Sequence, residues 1–174
     1  MPITKQKKIE IVQSVKSKID QTESLVFVNF HGLNVAMATN LRRSLKKNNV
    51  KYEVVKKSLL LRALGELNQK PAGAAPALDG EVAIAYLPAK TENDNLLPAR
   101  NVYEFQSKIN PSVGGGLKII GGIFERQFKS AEEMIQLAMI PPREVLYGRF
   151  VNLLAWPLRG LVVALDQISK TKQQ

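Results

Sequence analysis

The chain has 174 residues, with 25 Lys or Arg against 15 Asp or Glu, one His and no Cys. The missing cysteine excludes disulfides, zinc thiolates and thiol nucleophiles, and the length suits one good core with an appendage. Of the net charge of +10, nine units lie in residues 1–64, where thirteen Lys or Arg meet four acids, so a basic head precedes a near-neutral body. An uneven field of this kind points to a polyanion, nucleic acid first.

Thr4 is placed to cap a first helix, in which Ile9, Ile11, Val12, Val15 and Ile19 recur at helical spacing. No apolar signal core follows Lys5, Lys7 and Lys8, so secretion is not expected. Residues 25–30 form a β-branched, apolar run that predicts a buried strand. His31-Gly32 turns the chain, and Asn34 caps a second helix running to Asn49. A second strand is predicted over 51–55 and a leucine-dense third helix over 58–67. Residues 69–80, rich in Pro, Ala and Gly, predict a loop.

A strand over 82–87 and a helix over 94–109 follow. Asn110-Pro111 and Gly114-Gly115-Gly116 mark a turn before a strand over 117–124. Ser130-Ala131-Glu132-Glu133 is a capping-box signal for a short helix to Met139. Four strands interleaved with helices predict an α/β sandwich, one sheet covered by helices. Pro141-Pro142 ends that unit, which gives two domains, 1–140 and 141–174. The second is a helix from Arg143 to about Lys170 with too much apolar surface to stand alone in water. Its longest uncharged run, Phe150 to Leu158, falls far short of the roughly 20 residues of a membrane span. A soluble, cytoplasmic protein with no membrane partner is expected.

On the second helix Arg42 and Lys46 lie four residues apart, as do Arg43 and Lys47, while Leu41 and Leu45, with Val35 and Ala38, make the adjoining face. One face packs on the sheet and the next presents a stripe of four cations. Lys51, Lys56, Lys57 and Arg62 extend that patch, and Lys7 and Lys8 join from the N-terminus. The nucleic-acid-binding candidates are therefore Lys7, Lys8, Arg42, Arg43, Lys46, Lys47, Lys56, Lys57 and Arg62. Such stripes contact phosphates without base-specific geometry. No recognition-helix motif, finger or aromatic RNP pair occurs, so shape and phosphate recognition of folded RNA fits best.

The glycine clusters match neither the Walker nor the dinucleotide pattern and read as a turn and a strand bulge. His31, the one histidine, has no carboxylate or nucleophile in a motif relation to it and reads as a turn residue. No metal-ligand spacing or cofactor motif is found, and an enzyme is not expected.

The last helix holds a short repeat: Phe150-Val151-x-x-Leu154 recurs as Leu161-Val162-x-x-Leu165, eleven residues on. Eleven residues make just over three turns, so both copies fall on nearly one face, roughly 16 Å apart. Pro157 lies between them and should bend the rod. The docking candidates are Leu146, Phe150, Val151 and Leu154 on the first platform, then Leu158, Leu161, Val162, Leu165 and Ile168 on the second. A helix folded back on the core, or one that self-dimerises, is the competing reading.

At this point the residues resemble a known family, that of bacterial large-subunit ribosomal protein ten, the base of the ribosomal stalk. The matching stretches are Gly32-Leu33-x-Val35 with Leu41-Arg42-Arg43-x-Leu45-Lys46, Val54-Val55-Lys56-x-Ser58-Leu59, and Leu78-x-Gly80-x-x-Ala83-Ile84-Ala85-Tyr86. Leu117-Lys118-x-x-Gly121-Gly122 follows, then Ser130-Ala131-Glu132-Glu133 through Leu137-Ala138-x-x-Pro141-x-Arg143-Glu144-x-Leu146. The resemblance implies an α+β protein, a ferredoxin-like α/β sandwich head with an extended C-terminal helix. It also implies that the head grips large-subunit ribosomal RNA at the GTPase-associated region, sharing it with ribosomal protein eleven of the large subunit. The helix would carry two dimers of the acidic ribosomal stalk protein, which recruit translational GTPases. At two positions where the family usually has Arg and Asn, this chain has His31 and Lys57. The alternative is a free-standing RNA-binding regulator that self-associates through its last helix.

Overall fold

The computed structural model describes residues 4–65, 78, 80–88, 94–108 and 116–172, the side chains of Leu158, Ser169, Thr171 and Lys172 excepted. Most of the loop predicted over 69–80, the turn at 110–115, and the predicted helix ends at Leu67 and Ile109 lie outside the described residues. In chain order the elements are α1 (Lys5–Gln21), β1 (Ser24–Asn29), α2 (Val35–Lys47), β2 (Lys51–Val54), α3 (Lys57–Gly65) and β3 (Val82–Tyr86). They continue with α4 (Leu97–Lys108), β4 (Lys118–Phe124), β5 (Gln127–Ser130), α5 (Ala131–Ala138) and α6 (Arg143–Lys172). The chain divides into two compact units, Met1–Ile140 and Pro141–Gln174.

In the first unit the strands form one sheet in the order β2-β3-β1-β4-β5, each neighbouring pair antiparallel. The first four positions have the strand order of a ferredoxin-like βαββαβ unit, with α2 and α4 as its crossovers, so the fold is α+β as expected. The fifth strand was not predicted. Its hairpin turns on Glu125 and Arg126, both left-handed with φ of 51° and 61°. That geometry usually selects Asn-Gly, so the charged pair hid the turn.

Alternation along the strands sends side chains to two separate cores. Leu25, Phe27, Ile84 and Tyr86 face one side, where Val12, Val15 and Ile19 of α1 and Leu59, Leu60, Ala63 and Leu64 of α3 cover them. Val26, Val28 and Ala85 face the other, under Leu41 and Leu45 of α2, Ala99 and Val102 of α4, and Met134 and Ala138 of α5. Phe27 is fully buried, and burying such a side chain contributes about 1.5–3 kcal/mol. Helices therefore cover both faces of the sheet. Ile9, expected on the buried face of α1, is 46% exposed, because it lines the open groove between α1 and α3 rather than the closed core.

A bulge between Phe27 and Val28 on the β1–β4 ladder leaves one extra residue on β4, which switches the face that its later residues address. Ile119 packs under α2 and α4, and Ile123 on the α1 side. Gly122 lets α5 approach closely, since a Cβ there would lie 2.6 Å from the Leu25 carbonyl oxygen and 2.9 Å from Met134 Cε. The capping box forms as expected: Ser130 Oγ accepts from the Glu133 amide at 3.3 Å, and the Glu133 carboxylate accepts from the Ser130 amide at 2.9 Å. Thr4 and Asn34 occupy cap positions without using their side chains. Their carbonyls accept instead from Lys8 N at 3.1 Å and Ala38 N at 2.9 Å.

Candidate nucleic-acid interface

α2 presents its basic stripe because the helix buries only Leu41 and Leu45. Arg42, Arg43, Lys46 and Lys47 are all exposed. Val35 does not join the packing face: it is 79% exposed. At about 100° per residue it lies roughly 120° around the helix from Leu41, clear of the buried arc.

The structure brings Arg42 and Lys46 to a groove of about 490 Å³ between α2 and the edge strand β2, lined also by Asn49, Lys51, Tyr52 and Pro88. Arg43 and Lys47 lie on the same helix outside that groove. Tyr52 is half-buried against the α2-side core. Burial raises its phenol above the ordinary tyrosine value, against the lowering pull of the Arg42 charge.

Lys8 and Arg62 come together elsewhere, with Lys5, in a smaller groove of about 190 Å³ between α1 and α3. α1 and α3 cover the sheet face opposite to that of α2. The predicted cations thus form two groups on opposite sides of the sheet rather than one patch. Lys7 is exposed on α1, Lys56 is exposed just before α3, and Lys57 is half-buried at its first turn. Sequence spacing could not reveal this split, because the period of a helix says which residues share its face but not which side of the sheet it covers.

Two other cations of the head are committed to structure. Lys18 Nζ lies 2.5 Å from Glu53 Oε2 and 5.8 Å from the Tyr86 ring centroid. Tyr86 donates to Glu53 Oε1 at 3.0 Å. Burial pushes the Glu53 carboxyl up, but the hydrogen bonds from Lys18 and Tyr86 and the charges of Lys18 and Lys51 outweigh it, leaving the carboxyl below its ordinary value. Burial, then the Glu53 hydrogen bond and charge, raise the Tyr86 phenol well above its ordinary value. Arg100 is buried, bonded to the Asp94 carboxylate and, at 2.9 Å, to the Ile140 carbonyl. His31 is exposed, and its backbone N–H donates to Asn29 Oδ1 at 2.9 Å, the turn role read from the sequence.

In the second unit, residues 143–157 and 159–168 of α6 meet at 41°, with Pro157 at the junction. Among the described residues no single helix is long and apolar enough to cross a membrane. Leu146, Phe150, Val151, Leu154, Leu161, Val162, Leu165 and Ile168 are all exposed, from 39% to 65%. Leu158, the remaining docking candidate, has no described side chain. Five residues that the repeat did not reveal add to this surface: Val145 at 45%, Tyr147 at 68%, Leu153 at 72%, Trp156 at 73% and Val163 at 54%. By helical spacing Val145, Trp156 and Val163 project from the side roughly opposite the stripe, while Tyr147 falls within it and Leu153 at its edge beside Leu146, so the rod is apolar on two faces. Arg159 Nη1 donates to Asn152 Oδ1 at 3.3 Å across the proline.

A family model described as ribosomal protein L10 matches residues 3–105, more than half of the chain. A protein from Bacillus licheniformis named large ribosomal subunit protein uL10 is 31% identical over 94% of this chain and 92% of its own length. Proteins of the same name from Clostridium acetobutylicum and Shouchella clausii are 31% and 32% identical over 97% of this chain, and the matches cover 94% and 95% of those proteins.

Proposed function

Because the chain belongs to the ribosomal protein L10 family, we propose that its head grips large-subunit ribosomal RNA while α6 anchors the acidic stalk protein. The family is structural and not enzymatic, and the protein is a constituent of the large ribosomal subunit, working in the cytoplasm.

The observation that carries the RNA reading is the α2 stripe, four exposed cations on a helix whose other face is locked into the core. Lys and Arg in such a stripe neutralise phosphates and release counterions, which drives binding without sequence reading. The GTPase-associated region is the target implied by the family, with ribosomal protein eleven as the neighbour. Exposed leucine, valine and phenylalanine on α6 supply the docking surface for stalk dimers. Two repeats separated by a bend make two platforms, one dimer on each. The positive excess of residues 141–174, five Lys or Arg against two acids, suits an acidic partner.

Affinity capture of the tagged chain from a mixture of the ribosomal RNA fragment and the acidic stalk protein tests both halves. Retention of both supports the reading. Capture of neither, together with a compact dimer in light scattering, would favour the self-associating regulator.

A further inference from the structure

The groove between α2 and β2 is built unlike a bare phosphate patch. Arg42 and Lys46 stand on the helix wall, while Val50, Tyr52 and Pro88 give the rest an apolar, partly aromatic lining. Glu53, the one acid there, sends its carboxylate to Lys18 and Tyr86 on the α1 side of the sheet. β2 is an edge strand: among the described residues it pairs with β3 alone, so its outer backbone N–H and C=O groups are open to a ligand. The volume, about 490 Å³, is that of a small-ligand site. A flat ring beside two cations and an open peptide edge matches a nucleotide, which has a base to stack, a phosphate to neutralise and polar edges to bond. An acidic peptide would use the cations but leave the ring without a partner.

We propose that this groove seats one unstacked RNA nucleotide, its base against Tyr52 and its phosphate on Arg42 and Lys46. The seat rests on the reading of the head as an RNA-binding unit and adds a stacking contact to it. An ordinary phenol is already neutral at physiological pH, and burial shifts that of Tyr52 further in the same direction. Base–aromatic stacking tolerates any base because each has a π-face, so the seat selects unpaired RNA over duplex without reading sequence.

The test uses the full chain and two probes, a labelled single-stranded hexaribonucleotide and the ribosomal RNA fragment, followed by fluorescence anisotropy. Tyr52→Phe should bind the hexamer as the parent does. Tyr52→Leu, which keeps apolar volume but no flat ring, should weaken it roughly 5- to 150-fold with an unchanged salt slope. Arg42→Ala and Lys46→Ala should each lower that slope by about one unit. In the parent protein, a hexamer carrying 4-thiouridine should crosslink to Tyr52 or Pro88, a readout that needs no variant to fold. Parent-like hexamer binding by Tyr52→Leu, crosslinks confined to other elements, or a hexaglutamate peptide binding as tightly as the RNA would each overturn the seat. Binding of the fragment without the hexamer would sink the seat alone. Failure to bind either RNA would sink the RNA-binding reading as well.

Discussion

Lys18 and Glu53, 35 residues apart in sequence, form an ion pair at 2.5 Å that ties α1 to the edge strand β2. Glu53 also accepts from the Tyr86 hydroxyl at 3.0 Å, so one carboxylate joins a helix and two strands. Both charges are partly exposed, 27% and 39% at the side chains, and solvent screening limits the pair to about 1 kcal/mol or less. The folded-state carboxyl lies below its ordinary value of 4.5. Its contribution is therefore complete above pH 4.5 and is lost as the pH falls through the lower folded value. The Tyr86 phenol is raised above 10.0, so its contribution holds below pH 10 and fades as the pH climbs further. Glu53→Gln should lower Tm at pH 7 and flatten its fall below pH 4.5. Thermal melts across that range check this; an acid limb as steep as the parent's would exclude Glu53 as a source.

Gly122→Ala should cost about 1–3 kcal/mol by overpacking the contact of β4 with β1 and α5. The nearest atom to an added Cβ, 2.6 Å away, is the Leu25 carbonyl oxygen, and the second is Met134 Cε at 2.9 Å. Trimming Met134 to Ala in the same chain should therefore fail to restore stability, because the backbone clash remains. Urea titrations of the single and double variants measure it. Full recovery in the double variant would place the strain in the α5 packing alone.

Much of the architecture could be read from the sequence, and the exceptions have physical causes. β1, β3 and β4 are largely apolar runs, β2 alternates charged Lys51 and Glu53 with Tyr52 and Val54, and Ser130 with Glu133 announces α5, so their positions follow from local chemistry. β5 is polar, short and half-exposed, and its turn uses Glu125 and Arg126, so no periodicity marks it. The four cations of α2 were legible because helical spacing fixes a shared face. Tyr52 was not, since its role depends on α2 lying over β2, a tertiary contact. Nor could spacing show that Lys8 and Arg62 lie across the sheet from Arg42. On α6 the eleven-residue repeat of Phe150-Val151-x-x-Leu154 marks one apolar stripe, and Leu153, Trp156 and Val163 lie outside that pattern.

Because the two basic groups lie on opposite sides of the sheet, salt titrations can tell which one faces the RNA. Replacing Arg42, Arg43, Lys46 and Lys47 with Ala should reduce the salt slope of fragment binding by about three to four units. Replacing Lys8 and Arg62 should change it by about two units only if the RNA wraps both sides. Filter binding across a salt series gives both slopes. Unchanged affinity and slope in the quadruple variant would leave the stripe a solvated helix face.

A chain ending at Pro142 should melt cooperatively, bind the RNA fragment as the parent does and carry no stalk protein. The compact unit ends at Ile140, and both described cores are built from residues before that point. Calorimetry and filter binding of the shortened chain decide it. A molten, aggregating product would mean that α6 belongs to the core.

The central claim, one chain joining ribosomal RNA at its head to stalk dimers on its rod, is tested most directly by native mass spectrometry of the reconstituted complex. The account predicts one chain, one RNA fragment and four stalk copies, and two copies when Leu161 and Val162 are both changed to Asp, since a charge buried in an apolar interface is strongly unfavourable. A complex lacking the RNA, one with six stalk copies, or loss of every copy in the double variant would contradict it.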